Sequence, residues 1–242
     1  MERGRSRKAR SGCLGRIFGF VLFLIVAAVG VIAAVKYMPS RERADLDALY
    51  AAGGSDRVAL YLNYERQEES GVYVDGQTYL PAAWVDANLN ERFYWDANEK
   101  ILVYALPEEI VKSDETTVDE DGKKILYRDG DAVYLSLALI QKYTDVRLQA
   151  YDGEAQKRVF VENNWDPVTV ADAAWSAKIR LRGGLKSPIV TEIKRGGTVT
   201  VLEQYDNWAR VMTPDGHIGY MHKWKMKNLH EETLKSDFAA PV

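Results

Sequence analysis

The chain has 242 residues, which is enough for one or two ordinary domains or three small ones. Hydrophobic residues make up 47% and charged residues 28% of it, a balance that argues against wholesale disorder. The net charge of −3 is unevenly distributed: residues 1–40 carry seven basic side chains and one acidic one, or +6, which leaves −9 for the remainder. An acidic remainder argues against nucleic-acid binding, which requires clustered lysine and arginine to neutralise phosphates.

Ile17–Val35 is a run of nineteen residues without a charge. A helix of this length spans about 28 Å, close to the thickness of the hydrocarbon core of a bilayer. The basic residues before it predict a cytoplasmic N-terminus and a translocated chain after Lys36. We therefore predict a basic cytoplasmic tail at 1–16, a transmembrane helix at 17–37 and an extracellular bulk. The alternative is a cleaved signal peptide, although the run is longer than the usual core of about 7–15 residues.

The next segment contains no motif that indicates chemistry. Cys13 is the only cysteine and precedes the apolar run, so neither a lipoprotein attachment site nor a disulfide bond within the chain is predicted. Residues 38–56 contain a short amphipathic stretch around Leu46 and Leu49 that ends at Gly53–Gly54. We interpret 38–56 as a spacer that lifts the following region away from the membrane.

Residues 57–163 contain one order of elements twice: a strand, an Asp-Gly turn, a strand ending in Tyr-Leu, a helix and two further strands. The Asp-Gly pairs lie 54 residues apart and the Tyr-Leu pairs 55, as expected for a duplicated unit with a small insertion. Each half is too short to bury a core alone, so we expect the halves to pack together. The acidic stretch between them does not fit a calcium loop, because the twelfth position after a start at Thr117 is Arg128. It is interpreted as a solvated linker or hairpin tip.

The repeated unit resembles the domain family named for the N-terminal domain of copper amine oxidases. The residues that carry the resemblance are Tyr73-Val-Asp-Gly, Tyr79-Leu-Pro, the helix through Val85, Tyr94-Trp-Asp and Lys100-Ile-Leu-Val. The resemblance implies a stalk or a ligand-binding spacer at 57–163. It implies no copper, because all three histidines lie outside this region: His217, His222 and His230.

After a predicted linker at 164–176, residues 177–228 contain five short strands with tight turns, typical of a small barrel. Their order resembles a bacterial SH3-like domain, on the residues Leu181-Arg-Gly-Gly, Ile193-Lys-Arg-Gly-Gly-Thr-Val-Thr-Val-Leu, Asn207-Trp-Ala-Arg-Val, Asp215-Gly and Gly219-Tyr-Met-His. The Arg182–Pro188 loop departs from the family pattern, so the ligand cannot be carried over. Residues 229–242 are predicted to form a tail. The predicted fold class is mainly β with short helices, an α+β repeat region and an SH3-like β-barrel after one transmembrane helix.

The sequence contains no arrangement that indicates catalysis. The single cysteine and the absence of a Gly-x-Ser-x-Gly elbow argue against a nucleophile–base pair. His217 and His222 are five residues apart in a strand-to-turn region, which is unsuited to a shared metal ion. No glycine-rich loop precedes a helix, and no acidic strand signature of the family 18 glycoside hydrolases is present. We predict no catalytic residue, no cofactor and no metal, and expect no enzyme activity within these 242 residues.

Aromatic side chains in the SH3-like region are the candidate binding residues, because flat amphipathic rings suit peptides or sugars. The candidates are Tyr205, Trp208, Tyr220 and Trp224. Trp208 and Tyr220 could instead fill the core of so small a barrel, and for Trp208 the core is the favoured location. Tyr205 and Trp224 lie nearer to turns and are the better groove candidates.

Three hypotheses about function remain open. The first is a non-catalytic envelope protein that contacts the bilayer through 17–35 and binds peptidoglycan or wall peptides through the SH3-like region, without nucleic acid. The second rests on a resemblance to the N-terminal part of membrane-anchored clostridial family 18 glycoside hydrolases, and makes the chain the accessory region of such an enzyme. The third is a protein–protein adaptor without affinity for glycans.

Overall fold

The computed structural model describes residues 12–153, 155–236 and 238–239, so residues 1–11 of the predicted basic tail lie outside the described residues. The first element, α1, is an α-helix at Gly12–Tyr37. Its segment Ile17–Tyr37 is long and apolar enough to cross a membrane, and no part of it is buried in the protein. A helix of this kind is compatible with the predicted anchor and with a signal peptide.

The region from α1 to residue 163 consists of short strands and short helices. In chain order they are α2 Leu46–Leu49, β1 Arg57–Leu62, β2 Glu65–Val74, β3 Gln77–Pro81, α3 Ala82–Asn88, β4 Phe93–Asp96, β5 Ile101–Ala105, β6 Ile110–Ser113, β7 Leu126–Asp129, β8 Ala132–Ser136, α4 Leu137–Tyr143, β9 Arg147–Tyr151 and β10 Arg158–Glu162. The order β2-β3-α3-β4-β5 recurs as β7-β8-α4-β9-β10, which is the repeat that the spacing of the motifs predicted.

The Asp-Gly turns that begin each repeat have the backbone geometry that favours these residue types. Asp75 and Gly76, between β2 and β3, have φ angles of 50° and 79°. Two successive positive φ angles are typical of a type I′ turn, which matches the twist of a β-hairpin and accepts Asp-Gly. Gly130, between β7 and β8, has a φ of 61°. Both hairpins are therefore specified by local sequence.

The two repeats meet edge to edge in one seven-stranded sheet, with the strand order β7-β8-β3-β2-β1-β10-β9. The junction is the antiparallel pairing of β3 with β8, in which Leu80 is the partner of Leu135. At the other side β1 pairs with β10 in parallel. The second hairpin of the first repeat is not part of this sheet and lies in a separate three-stranded sheet of order β4-β5-β6.

A single hydrophobic core lies between the large sheet and the two helices. Leu80 and Leu135 are fully buried at its centre. The helices contribute Val85 from α3 and Ile140 from α4, and the three-stranded sheet contributes Leu102. Because buried side chains from both repeats belong to one cluster, the expectation that the halves pack together is confirmed.

The remainder of the described chain forms a second seven-stranded sheet that curls into a barrel. Its strands are β11 Val168–Ala173, β12 Ala177–Arg180, β13 Ile189–Ile193, β14 Thr198–Gln204, β15 Trp208–Met212, β16 Ile218–His222 and β17 Met226–Glu232. The strand order is β13-β12-β16-β15-β14-β11-β17, and a 3-10 turn at Lys223–Lys225 precedes β17. Mostly β structure with few short helices, an N-terminal apolar helix and an SH3-like region confirm the predicted fold class.

The barrel is larger than the sequence indicated. The sequence predicts a linker at 164–176 and a tail at 229–242, but β11 lies inside the first and β17 extends into the second. β11 pairs with β14 on one side and with β17 on the other, so these segments are integral to the sheet. Exposed, charged strands such as β17 have little apolar periodicity, which is why their sequence resembles a loop.

The spacer predicted at 38–56 lies against the barrel instead of standing free. The Ser40 amide donates a hydrogen bond to the Leu185 carbonyl at 2.8 Å, and the Ala44 amide donates to the Ile189 carbonyl at 2.8 Å. Arg43 forms a parallel bridge with Ile189, so the segment acts as an additional edge beside β13. Directly after α2, Tyr50 is buried, with 4% of its surface exposed. The segment therefore connects α1 to the barrel over a short, hydrogen-bonded path.

A further apolar cluster joins the large sheet to the barrel. Ala59, Tyr61 and Phe160 project from the sheet face opposite the main core, since alternate residues of a strand face opposite sides. The rings of Tyr61 and Phe160 stack at a centroid distance of 4.6 Å. The barrel contributes Met212 of β15 to this cluster, and the segment after α2 contributes Tyr50.

Arg158 is the largest polar side chain buried at this junction, and it is fully buried. Its guanidinium donates hydrogen bonds to the carbonyls of Gly216 at 3.1 Å, Asp215 at 2.8 Å and Gln156 at 2.6 Å. The same group lies 4.7 Å from the centroid of the Tyr50 ring. One side chain of β10 thus binds both the turn between β15 and β16 and the segment after α2.

Candidate functional groove

The register of β15 and β16 determines which predicted residues face the interior of the barrel. Trp208 pairs with His222, and Ala209 pairs with Met221. Ala209 and Met221 are fully buried members of the core. Since alternate residues of a strand face opposite sides, Trp208 and His222 lie on the outer face, where both are half-buried. The expectation that Trp208 fills the core is therefore wrong.

A groove of about 410 Å³ runs along this outer face. Its lining comes from β12, the loop between β12 and β13, the paired strands β15 and β16, and the turn after β16. Pro39, two residues after α1, contributes to the rim. The residues that define its chemistry are Lys178, Arg180, Leu185, Trp208, His222 and Trp224.

The rings of Trp208, His222 and Trp224 lie side by side in the groove, with His222 in the middle, and form an aromatic strip. The ring of His222 lies 5.0 Å from Trp208 and 6.0 Å from Trp224, between centroids. Trp224 is 62% exposed, which is a large apolar surface to leave in water. Gly183 allows the β12–β13 loop to approach Trp208, because a Cβ there would lie 3.2 Å from its ring. The strip therefore offers one open ring, Trp224, and two rings held in place by neighbours.

The charged groups around the strip are mostly basic. Arg180 is only 3% exposed, and burial lowers the pKa of its guanidinium. It donates hydrogen bonds to the carbonyls of Ser187 and Ser40, the latter at 3.2 Å. Lys178 and Lys225 add two further cations to the lining, opposed by Glu192. The groove can therefore attract a carboxylate while its aromatic strip contacts an apolar or sugar face.

His222 carries an unsatisfied group at the centre of the strip. Its Nδ1 atom is buried and has no hydrogen-bond partner among the residues that the structure describes. Burial lowers the pKa of His222 from its ordinary value, and the neighbouring Lys225 lowers it further. The ring is therefore mainly neutral at neutral pH, and its buried Nδ1 is an unsatisfied hydrogen-bonding atom behind the strip.

The other two predicted residues, Tyr205 and Tyr220, do not line this groove. They form a separate pair with a centroid distance of 5.9 Å. The Tyr205 hydroxyl donates a hydrogen bond to the Glu203 carboxylate, which raises the pKa of Tyr205 to about 12. The structure thus brings Trp208 and Trp224 together, whereas Tyr220, two residues before His222 on the same face, pairs with Tyr205 outside the groove lining.

Sequence reasoning missed several groove residues for different reasons. His222 could have been identified from the sequence, because it lies two residues after Tyr220 and therefore on the same face of its strand. From the sequence alone we weigh it only as a metal ligand. Leu185 and Pro39 have no sequence signal, since only tertiary contacts bring the loop and the segment after α1 to the same groove. Within the described part of the chain, no cluster of three or more histidine, cysteine or acidic side chains is arranged to hold a metal ion.

Comparison with known proteins identifies the barrel region. Residues 175–227 match the bacterial SH3 domain family, a stretch that contains β12 to β16 and most of the groove lining. No curated protein matches the chain. A bacterial SH3 domain suggests a module that binds the cell wall or a protein, and the apolar helix is compatible with membrane association. The resemblances of 57–163 to the amine oxidase domain and of the arrangement to family 18 hydrolases stay predictions.

Proposed function

We propose that this protein is a membrane-anchored, non-catalytic envelope protein that binds peptidoglycan or wall peptides through the groove at Trp208, His222 and Trp224. The observation that carries the proposal is the exposed Trp224 ring beside the lysines Lys178 and Lys225, within a region that matches the bacterial SH3 family. Such a site pairs a stacking surface with cations that can bind a carboxylate.

The chemistry of the groove favours a ligand with carboxylates and a flat or apolar face. Lys178, Arg180 and Lys225 provide positive charge, while Trp224 provides the stacking surface. Wall peptides and their attached glycan strands combine these two features. The charge of the groove is opposite to the net negative charge of the chain after residue 40, so an acidic ligand would be drawn to this part of the protein.

For the organisation of the chain, we propose a helix at 17–37 that holds the protein in the membrane with the C-terminal bulk outside. In this proposal the SH3-like domain is the binding module, and the duplicated stalk region 57–163 lies beside it. The contacts of Arg158 and of the cluster around Phe160 support rigid coupling of this region to the barrel. The hydrogen bond from the Ser40 amide to the Leu185 carbonyl holds the groove loop close to the end of α1.

The test is cosedimentation of the full chain, in detergent micelles, with purified peptidoglycan and separately with chitin. Trp224→Ala is expected to weaken pelleting with peptidoglycan by about thirtyfold in apparent affinity, the usual effect of removing a central tryptophan from an interface. The matched control is Trp175→Ala, because Trp175 is also an exposed barrel tryptophan, at 57%, but does not line the groove. The control is expected to pellet like the wild type.

Loss of pelleting in Trp224→Ala but not in Trp175→Ala would support the groove as the wall-binding site. Equal loss in both variants would place binding outside the groove. If neither polymer pelleted the wild-type protein, glycan binding would be refuted, and the barrel would be better explained as a protein-binding adaptor. Circular dichroism of each variant checks that the fold is retained.

A further inference from the structure

The loop between β12 and β13 lies directly at the end of the apolar helix. The Lys186 ammonium donates a hydrogen bond to the Val35 carbonyl of α1 at 2.7 Å. The Ser40 amide donates to the Leu185 carbonyl at 2.8 Å, only three residues after the helix ends. The last carbonyls of a helix have no partner within the helix, and a cation is favoured at this end of the helix dipole. The contact of Lys186 is therefore of a stabilising type.

The length of the helix places this loop relative to a bilayer. Ile17–Tyr37 has 21 residues, a span of about 32 Å, against about 30 Å for the hydrocarbon core. If the span fills the core, Tyr37 lies at its boundary and Val35 about 3 Å deeper. A side chain that contacts the Val35 carbonyl must then enter the lipid headgroup layer, as long lysine side chains do at membrane interfaces.

The exposed side chains of the loop have the composition of a membrane-contacting surface. Leu185 is 43% exposed, and Arg182 and Lys186 on either side of it are exposed cations. Exposed Tyr37 at the helix end adds an aromatic ring of the kind enriched at membrane interfaces. An apolar tip between two basic residues complements an anionic lipid surface, whereas the remainder of the chain after residue 40 is acidic overall.

We propose that the Arg182–Ser187 loop rests in the headgroup layer of the leaflet that the C-terminal end of α1 enters. Arg182 and Lys186 contact anionic lipid headgroups, and Leu185 reaches the boundary of the acyl chains. The barrel then lies on the membrane, and its groove opens beside the bilayer instead of at the end of a free stalk. This inference rests on the membrane anchor in the proposed function.

The test uses the full chain in nanodiscs, with Cys13→Ser to remove the only cysteine. A fluorophore is attached at Leu185→Cys or, as the control, at Lys194→Cys. Lys194 is exposed and follows the far end of β13, whose five residues span about 16 Å. Quenching is measured with lipids that carry a nitroxide near the headgroup and with iodide in the water. We expect the position 185 fluorophore to be quenched by the lipid and protected from iodide, and the position 194 fluorophore to show the reverse.

The electrostatic part of the proposal has its own comparison. In discs that contain phosphatidylglycerol, Lys186→Glu is expected to reduce lipid quenching at position 185, because each of the two units of charge that it changes weakens the equilibrium of the loop contact by about fivefold. Lys194→Glu is expected to leave it unchanged. In discs of phosphatidylcholine alone, the effect of Lys186→Glu should shrink.

Two results separate failure of this inference from failure of the anchor. If the protein leaves the discs and mass spectrometry shows that the N-terminal segment has been removed, the anchor itself is refuted. If the protein stays in the discs but position 185 is as accessible to iodide as position 194, the loop contact is refuted and the anchor stands. If lipid quenching at position 185 were the same with and without Lys186→Glu, the role of anionic headgroups would be refuted.

Discussion

Replacing Arg158 with methionine is expected to lower the free energy of unfolding by about 4 kcal/mol. The guanidinium is fully buried and donates hydrogen bonds to the carbonyls of Gly216, Asp215 and Gln156. Hydrogen bonds from a charged donor contribute about 1.5 kcal/mol each, and the stacking on Tyr50 adds about 1 kcal/mol. Methionine retains much of the buried volume and recovers about 1.5 kcal/mol through its apolar surface.

The assay is urea denaturation of the full chain in detergent micelles, followed by tryptophan fluorescence. The six tryptophans are spread over both regions, with Trp84 in the repeat region and Trp208 in the barrel, so a loss of coupling would also separate one transition into two. The control is Arg195→Met, because Arg195 is exposed and lies 5.4 Å from the Trp175 ring, a contact that contributes less than about 1 kcal/mol. A loss below about 1 kcal/mol for Arg158→Met would refute the view that this side chain joins the two regions.

Two further predictions concern the barrel. Gly219→Ala is expected to cost about 1–3 kcal/mol in urea denaturation, because its Cβ would lie 2.7 Å from the Ile179 side chain and 2.8 Å from the Arg180 carbonyl oxygen. At Gly184 a Cβ meets nothing, so Gly184→Ala should be nearly neutral. Burial, and secondly Lys225, lowers the pKa of His222 in the folded protein. As the pH drops below about 6.5, His222 therefore binds a proton in the unfolded chain before it does so in the folded protein, and the free energy of unfolding falls. His222→Gln should reduce this fall in thermal melts.

The pH measurement includes a control of opposite sign. A hydrogen bond with the Asn228 carbonyl, and secondly the Glu232 carboxylate, raises the pKa of His230. Protonation of His230 therefore favours the folded state, and this contribution is present at low pH and is lost as pH rises through its folded pKa. His230→Gln should make the acid-side fall in stability steeper, not shallower. The same slope in wild type, His222→Gln and His230→Gln would show that neither histidine governs the pH dependence.

The local elements of this protein were predictable from its sequence because short-range rules specify them. The Asp75–Gly76 turn requires positive φ angles that aspartate and glycine tolerate, and the alternating residues around it form the predicted hairpin. The helix that begins after Ser136 has a side-chain cap, since the Ser136 hydroxyl accepts a hydrogen bond from the Leu139 amide at 3.2 Å. The duplicated order and the apolar run at 17–35 were visible for the same reason: each depends on residues close together in the chain.

Long-range pairing was not visible, because backbone hydrogen bonds between strands carry little sequence information. Nothing local indicates that β3 of one repeat pairs with β8 of the other, or that residues 40–44 lie beside β13. The polar strand β17 resembles a tail until β11 is placed next to it.

The candidate groove shows the same division. Sequence identified the barrel and four aromatic side chains, because turn residues and strand spacing are local. The tertiary structure decided that Trp208 faces outward beside His222, and that Tyr205 and Tyr220 form a pair outside the groove lining. The outward position of Trp208 follows from register: a shift of one residue in strand pairing moves every side chain to the other face, and register depends on partners that are distant in the chain. The sequence by itself therefore determined which rings this protein has, and only the tertiary structure decided which of them share a groove.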